Sequence, residues 1–341
     1  ATPLDVRRLM HLAAGHTLKT RTSDPAVLGY HAERAGDLRR AKSLLATAGA
    51  AAVRQFDDGA AADLFNRALN VTRSLLQREP DAELQAQFIS VSIELSKSLR
   101  AIGEIALAQG ILKESREQCR DRPALQIRLH RASAELKVSD GDTESAIALC
   151  REAIAMAMRI FELDLLTETY LDLATMLLRS GEPQAAAQEL EESIDIITVG
   201  EGPTVARAPV GFWRLLLRLG QLLAAEGNLS KAQRMAENAA RLAKVNESSV
   251  GVARANMTLA SIFEAKGETK KSQKIRRRAI DEMRSIGDRR TTAELLIAAS
   301  RPTEKIGRDS TAEIEEARML AEEVGWDEGV RQATPPADDT E

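Results

Sequence analysis

The sequence predicts an all-α protein built from paired helices, and two observations lead to that fold class. Alanine, leucine, glutamate and arginine are abundant among the 341 residues and favour helices, whereas aromatic residues make up only 3%. In addition, sets of four small residues recur at offsets of +7, +5 and +7, with glycine as the second member. Recurrence at a period of a few tens of residues is typical of a helical-repeat array.

Six copies of this pattern agree in register, and their glycines predict the turns. These glycines are Gly36, Gly103, Gly141, Gly181, Gly227 and Gly267. From Gly103 onward they stand 38 to 46 residues apart, and a weaker copy that begins at Gly49 has Phe56 in place of the glycine. Each copy predicts a helix that ends at a left-handed glycine, followed by a second helix.

The residues around each turn predict how the hairpin is built. Asp37, Asp142 and Asn228 directly follow a turn glycine, where a side-chain oxygen can cap the next helix. Pro183 falls in the first turn of a helix, where its missing N–H costs little. The remaining small residues lie on facing helical surfaces and let two helix axes approach to about 8–10 Å.

The chain divides into a repeat array and a short C-terminal region. Thr2 and Pro3 start a first helix over residues 3–20, and a short helix is expected over 289–299. The full division is an array over 1–299 with a long Gly/Pro loop at 198–211, a linker at 300–310, a capping helix at 311–326 and a disordered tail at 327–341.

Composition and motifs argue against most chemical functions. The chain lacks the usual phosphate-loop, dinucleotide, zinc-protease and serine-hydrolase motifs, so we expect no enzyme, no cofactor and no metal site. A net charge of −4 gives no overall case for nucleic acid, and the basic run at 270–284 is interpreted as a solvated helix face. No apolar run is long enough to insert into a membrane. Two widely separated cysteines fit a cytoplasmic location.

The small-residue spacing resembles the tetratricopeptide repeat, abbreviated TPR, over roughly residues 24–286. The repeats here are longer than is usual for that family, and most of the usual aromatic residues are missing. The resemblance implies a right-handed helical-hairpin (TPR-like) solenoid.

Residues 27–69 resemble a narrower group. The stretch is similar to the segment that opens the C-terminal repeat region of bacterial signalling proteins. These include STAND-type ATPases, cyclases, Ser/Thr protein kinases and the maltotriose-responsive activator. The resemblance implies a regulatory region that follows a catalytic or switch module. Because the sequence begins at Ala1, we also expect the chain to be part of a longer protein.

The resemblance also implies a binding groove, because the first helix of each TPR lines the concave surface. Five positions of that helix face the groove: the second, fifth, ninth, twelfth and thirteenth. Mapped onto this chain, they hold seven basic side chains, three acidic ones and one notable amide: Lys97, Arg100, Arg128, Arg131, Arg179, Arg214 and Arg254; Glu135, Glu168 and Glu264; and Gln221. The basic excess predicts a partner with an acidic segment.

Two functions follow from these observations. The first is a protein-interaction and regulatory module, whose partner is another protein or the upstream domain of the same chain. The alternative is a small-molecule sensor, in which a ligand inside the superhelix controls an upstream ATPase, kinase or transcription module. Self-association is a further expectation, since incompletely capped ends expose apolar faces.

Overall fold

The computed structural model describes residues 3–19, 24–119, 121–198, 208–300 and 309–333, which form seventeen α-helices and no strand. The fold class is therefore all-α, as predicted. The chain forms two compact units, with the division between Leu165 and Leu166. Unit 1 covers residues 1–165 and unit 2 covers residues 166–341.

Unit 1 is a succession of antiparallel hairpins in which each helix packs on the next. Its hydrophobic core contains Phe65, Phe88 and Leu129, each at most 3% exposed. Helices α5 and α7 also touch, so the first helices of neighbouring hairpins lie side by side. The helices are α1 (Leu4–Lys19), α2 (Pro25–Ala35), α3 (Leu38–Arg54), α4 (Asp58–Arg78), α5 (Ala82–Ala101), α6 (Ile105–Glu117), α7 (Pro123–Ser139) and α8 (Thr143–Ile160).

Unit 2 is also built of helical hairpins. The first helices of three successive hairpins form one layer. The helices are α9 (Leu163–Arg179), which crosses the division, α10 (Pro183–Thr198), α11 (Phe212–Ala225), α12 (Leu229–Val245), α13 (Ser249–Ala265), α14 (Thr269–Ile286), α15 (Arg289–Ser300), α16 (Asp309–Glu323) and α17 (Asp327–Ala333). Helix α13 contacts both α11 and α15, so these three form the inner layer of unit 2.

The predicted left-handed turns are confirmed. The six turn glycines have φ between 78° and 85°, a conformation that costs other residues steric strain. The weaker copy also turns where expected, but Phe56 adopts φ 58° there. Two further turns use Phe161 and Glu247, both at φ 54°.

The capping and packing expectations are also confirmed. The carboxylates of Asp37 and Asp142 and the side-chain oxygen of Asn228 each accept a backbone N–H three residues on. The small residues of the pattern other than the turn glycines are buried; Ala146 and Ala232, for example, are fully inaccessible. At Gly220 an added Cβ would lie 3.3 Å from the carbonyl oxygen of Ala232, so α11 and α12 pack backbone against backbone.

The C-terminal region differs from the prediction. Residues 327–333, expected to be disordered, form α17, because Ala333 and Trp326 pack into an apolar cluster with α14, α15 and α16. The capping helix is α16, which begins at Asp309 and not at 311. The linker at 301–308, most of the loop at 198–211 and the tail from 334 lie outside the described residues.

Candidate functional site

A concavity of about 760 Å³ lies on the inner layer of unit 2. Side chains of α11, α13 and α15 line it, together with Leu171 of α9. Its apolar floor includes Trp213, Leu217, Met257 and Leu295, each 9% exposed or less. This volume falls in the range of ligand-binding clefts, which are mostly apolar with a few placed polar groups.

Helical periodicity brings the polar groups of α11 into this concavity. Arg214, Arg218 and Gln221 stand at i, i+4 and i+7, so they share one face of the helix. The Trp213 ring, which lies next to these polar groups, packs against a glycine of α13. Gly251 lies so close to the Trp213 ring that an added Cβ would sit 3.1 Å from it. The indole is therefore held against the N-terminal turn of α13.

Two hydrogen bonds cross between the helices that line the concavity. The Gln221 Nε2 group donates to the Thr258 hydroxyl oxygen at 3.4 Å. The Arg254 guanidinium binds Glu294 at 2.5 Å, which neutralises both charges. The concavity thus contains one internal ion pair beside an uncharged polar contact.

Two further arginines in the concavity have no carboxylate partner among the described residues. Arg214 is exposed, and its guanidinium carbon lies 5.6 Å from the centre of the Trp213 ring. Arg218 is partly buried, and its only polar contact within the described ranges is a weak one, 3.5 Å from Nη1 to the Gln221 Oε1 atom. Burial lowers the pKa of Arg218, with no acidic group to offset it. The unit 2 concavity therefore has two positive charges that the described residues of unit 2 do not neutralise.

The structure brings together three of the residues predicted from the sequence and places the rest elsewhere. Arg214, Gln221 and Arg254 line the concavity of unit 2. Arg179 is exposed at the end of α9 and does not line it. Glu264 binds Arg276 of α14 at 2.7 Å, with both side chains largely buried, and Glu168 is partly buried on α9.

In unit 1 the predicted residues are mostly engaged with neighbours. Lys97 donates to Glu94 on its own helix at 2.9 Å, and Arg100 of α5 lies 3.7 Å from Glu135 of α7. Arg128 is exposed and Arg131 is partly buried on α7. Unit 1 therefore presents less uncompensated charge than its basic residues suggest.

The sequence prediction missed Arg218. Leu217 occupies the fifth position of its repeat, which is one of the groove positions. Arg218 follows it at a position that the family pattern does not assign to the groove. Its helical spacing from Arg214 and Gln221 was the available signal, since residues four and three apart share a face.

Other clusters in the described residues are smaller or more exposed. On the outer face of α14, Lys270, Lys274, Arg277 and Arg278 are exposed and have no ion pair within the described part of the chain. In unit 1, the Nδ1 atoms of His11 and His31 lie 3.1 Å apart. Within the described ranges, no group of three or more metal-binding side chains occurs.

Helix α1 exposes an apolar surface. Leu4, Leu9 and Met10 are 58%, 66% and 62% exposed. None of the helices within the described ranges combines the length and the apolar character needed to cross a membrane.

Comparison with known proteins identifies the fold. No family model and no curated protein sequence matches the chain. Among solved structures, BtubC from P. vanneervenii is similar over 72% of this chain and 94% of its own, at 15% identity and a TM-score of 0.56. A STAND protein with a tetratricopeptide repeat sensor from Pyrococcus horikoshii matches 96% of this chain but only 48% of its own, at 14% identity and a TM-score of 0.56.

A third similar structure is the Rap conjugation gene regulator of the plasmid pLS20 in complex with the Phr* peptide. It covers 90% of this chain and 78% of its own, with 14% identity and a TM-score of 0.55. At these identities the likeness establishes the fold and nothing finer. The chain has a TPR-like fold of helical hairpins.

Proposed function

We propose that this chain is a non-enzymatic interaction module that binds an acidic segment of a protein partner in the concavity of unit 2. One observation carries the proposal: a single concave surface gathers Arg214, Gln221 and Arg254, which were predicted independently from their register in the repeats. The concavity also contains Arg218, which has no carboxylate partner in the part of the chain that the structure describes. An acidic segment supplies the carboxylates that Arg214 and Arg218 lack among the described residues.

The shape and chemistry of the surface support a peptide as the occupant. An arginine guanidinium binds a carboxylate through two parallel hydrogen bonds, while the apolar floor around Leu217 and Met257 can bury a neighbouring side chain. A protein of the same fold, the Rap regulator, is described in complex with a peptide. Lys97, Arg100, Arg128 and Arg131 on unit 1 remain predicted contacts of the same partner.

The module belongs, in this proposal, to a larger cytoplasmic signalling protein of bacteria. The STAND protein supports this view, because this chain spans about half of its length and that protein carries a repeat sensor. The acidic segment is then in another protein or in the upstream domain of the same chain. The exposed apolar surface of α1 supports the further prediction that copies of the chain associate.

The test uses a double substitution in the concavity and a matched control. Arg214→Glu with Gln221→Glu changes two exposed side chains that have no ion pair within the described residues. Gln273→Glu with Arg277→Glu makes the same chemical changes on the exposed outer face of α14. Twelve-residue peptides displayed on phage are selected against the wild-type chain.

We expect the selected peptides to be acidic, to lose binding to the concavity variant and to retain binding to the control. Selection of no peptide, or equal loss with both variants, contradicts the proposal. Thermal unfolding of each variant verifies that the fold persists, because both pairs of substitutions lie on exposed helix faces.

A second function, small-molecule sensing, is favoured by the volume of the concavity, about 760 Å³. A metabolite with a carboxylate fits the same arginines, and its binding stabilises the folded chain by mass action. A thermal-shift screen with acidic metabolites tests this. A metabolite that raises Tm in the wild type and not in the Arg214→Glu, Gln221→Glu variant supports sensing.

A further inference from the structure

Arg218 differs from the other partly buried arginine described in unit 2, because its guanidinium has no carboxylate partner among the described residues. Arg276, whose side chain is 15% exposed, binds Glu264, and even the exposed Arg254 binds Glu294. Arg218 is partly buried on α11 and has no carboxylate partner in the described parts of the chain.

This arrangement costs folding free energy. Partial burial removes some of the water around the guanidinium, which remains charged because arginine does not release its proton in proteins. Its contact with Gln221, at 3.5 Å, is too long to replace a charged partner. A site that retains such a group loses stability unless something binds it.

The surroundings of Arg218 favour a carboxylate as the missing partner. The apolar side chains of Leu217 and Met257 line the same concavity, and a low local dielectric strengthens an ion pair. Gln221 and Thr258, which contact each other across α11 and α13, lie in the same concavity as further polar groups.

We propose that Arg218 binds a carboxylate of the acidic segment, and that an apolar residue beside that carboxylate lies against Leu217 and Met257. This inference rests on the proposed function and adds its recognition rule: the partner has an acidic residue next to an apolar one. The same chemistry fits a side-chain carboxylate or the carboxylate of a free C-terminus, and the experiment distinguishes them.

The experiment is a double-mutant cycle with one peptide chosen from the phage selection described above. Synthetic peptides with an amidated or a free C-terminus are prepared, with each acidic residue in turn changed to its amide. Their Kd values are measured on the wild type, on Arg218→Gln and on the control Arg277→Gln. We expect Arg218→Gln to weaken binding about ten- to a hundredfold, and the amide change at one position to have almost no further effect on that variant.

The two sources of the carboxylate give different results. If coupling to Arg218 is found with a side-chain amide change, the partner residue is internal. If it is found between the free and the amidated end, the partner residue is a C-terminus. Coupling below about twofold at every position overturns the inference while the proposed function stands. A phosphorylated peptide that binds more tightly than its acidic counterpart also overturns it. If no acidic peptide is selected at all, both fail.

A second measurement separates binding from a structural role. Without ligand, Arg218→Leu removes a partly buried charge that has no carboxylate partner in the described residues, so we expect Tm to rise by about 1–4 °C while peptide binding is lost. Arg218→Lys keeps the charge but loses the planar fork, so its affinity falls between those of the wild type and Arg218→Gln. A fall in Tm for Arg218→Leu indicates that Arg218 supports the fold and contradicts the proposal.

Discussion

The inner helices of the two units carry similar numbers of basic side chains but neutralise them differently. In unit 1, Lys97 binds Glu94 and Arg100 lies near Glu135. In unit 2, Arg214 and Arg218 have no carboxylate partner in the described residues. A count of charges along the groove therefore does not measure how strongly a surface attracts an acidic ligand. The measure is the charge left over after neighbouring side chains have paired.

Two of the three predicted groove acids are also paired with neighbouring side chains. Glu264 forms an ion pair with Arg276 within one hairpin of unit 2. Glu135 forms an ion pair with Arg100 between two helices of unit 1. The first pair is largely buried and the second is more than one-third exposed, so their contributions to stability should differ widely.

The largest effect is expected for Glu264→Gln. The substitution leaves Arg276 without its partner in a largely buried site, and Nε of Arg276 already has no hydrogen-bond partner. We expect unit 2 to lose about 2–3 kcal/mol of unfolding free energy. Urea unfolding followed by tryptophan fluorescence measures this, since Trp213 and Trp326, the two tryptophans, both lie in unit 2.

The control for that substitution is Glu268→Gln, which breaks an exposed pair with Lys271 near the same turn. It should change the stability of unit 2 by less than about 0.5 kcal/mol. Equal effects of the two substitutions would remove the distinction between buried and exposed pairs on which the comparison depends.

The second effect depends on pH and is confined to unit 2. Burial, followed by the nearby carboxylates of Glu192 and Glu189, raises the pKa of Tyr170 to about 12. Because the fold favours the neutral phenol, this stabilisation is complete below pH 10 and is lost as the pH rises through about 12. The loss amounts to about 2 kcal/mol.

The measurement compares the unfolding free energy of the wild type with that of Tyr170→Phe at pH values between 9 and 12, with unfolding followed by tryptophan fluorescence. The wild type should lose stability more steeply over this range than the variant, which has no phenol to ionise. Parallel curves for the two chains would contradict the assignment of this pH dependence to Tyr170.

The third effect concerns unit 1, where the residue that follows α8 is a phenylalanine in the left-handed backbone conformation. Phe161 has φ 54° and is 86% exposed, so a glycine there relieves strain and loses little packing. We expect Phe161→Gly to stabilise unit 1 by about 0.5–1 kcal/mol. Circular dichroism during urea unfolding follows the unfolding of unit 1. The unfolding midpoint reported by tryptophan fluorescence, which belongs to unit 2, should not change.

The opposite substitution at a glycine turn provides the control. Gly141 has φ 84°, and its replacement by alanine should destabilise unit 1 by about 1 kcal/mol. A stabilising effect of Gly141→Ala would show that left-handed geometry is not what these turns require.

The smallest effect is expected for Glu135→Gln in unit 1. The atoms of the Arg100–Glu135 pair are 3.7 Å apart and the side chains are 38% and 34% exposed, so solvent screens the interaction. Stability should change by less than about 0.5 kcal/mol. A loss above about 1.5 kcal/mol in urea unfolding would show that unit 1 depends on its pairs as unit 2 does.

The fold was predictable because its signals are local. Gly103 and Gly227 adopt left-handed turns, and Asp37 and Asn228 cap the helices that follow, as their neighbours in sequence indicate. Disorder over residues 327–333 was predicted wrongly, because composition does not show that Trp326 and Ala333 pack into an apolar cluster with α14–α16.

The candidate site was only partly predictable. Register along a helix placed Arg214, Gln221 and Arg254 on one surface, and the structure brings them together. The same register gave no reason to distinguish Arg254, which pairs with Glu294 forty residues away, from Arg214, which pairs with no carboxylate of the described chain. Such pairing depends on which helices become neighbours.

By itself, the sequence determined the helices, the turns between them and the face that each helix presents, because these follow from backbone preferences and from the 3.6-residue period. Only the tertiary structure decided which charges are neutralised and which remain available to a ligand. The physical reason is that an ion pair requires two side chains within about 4 Å and depends on their exposure to water. Both quantities are set by packing between distant segments and not by the order of residues along one helix.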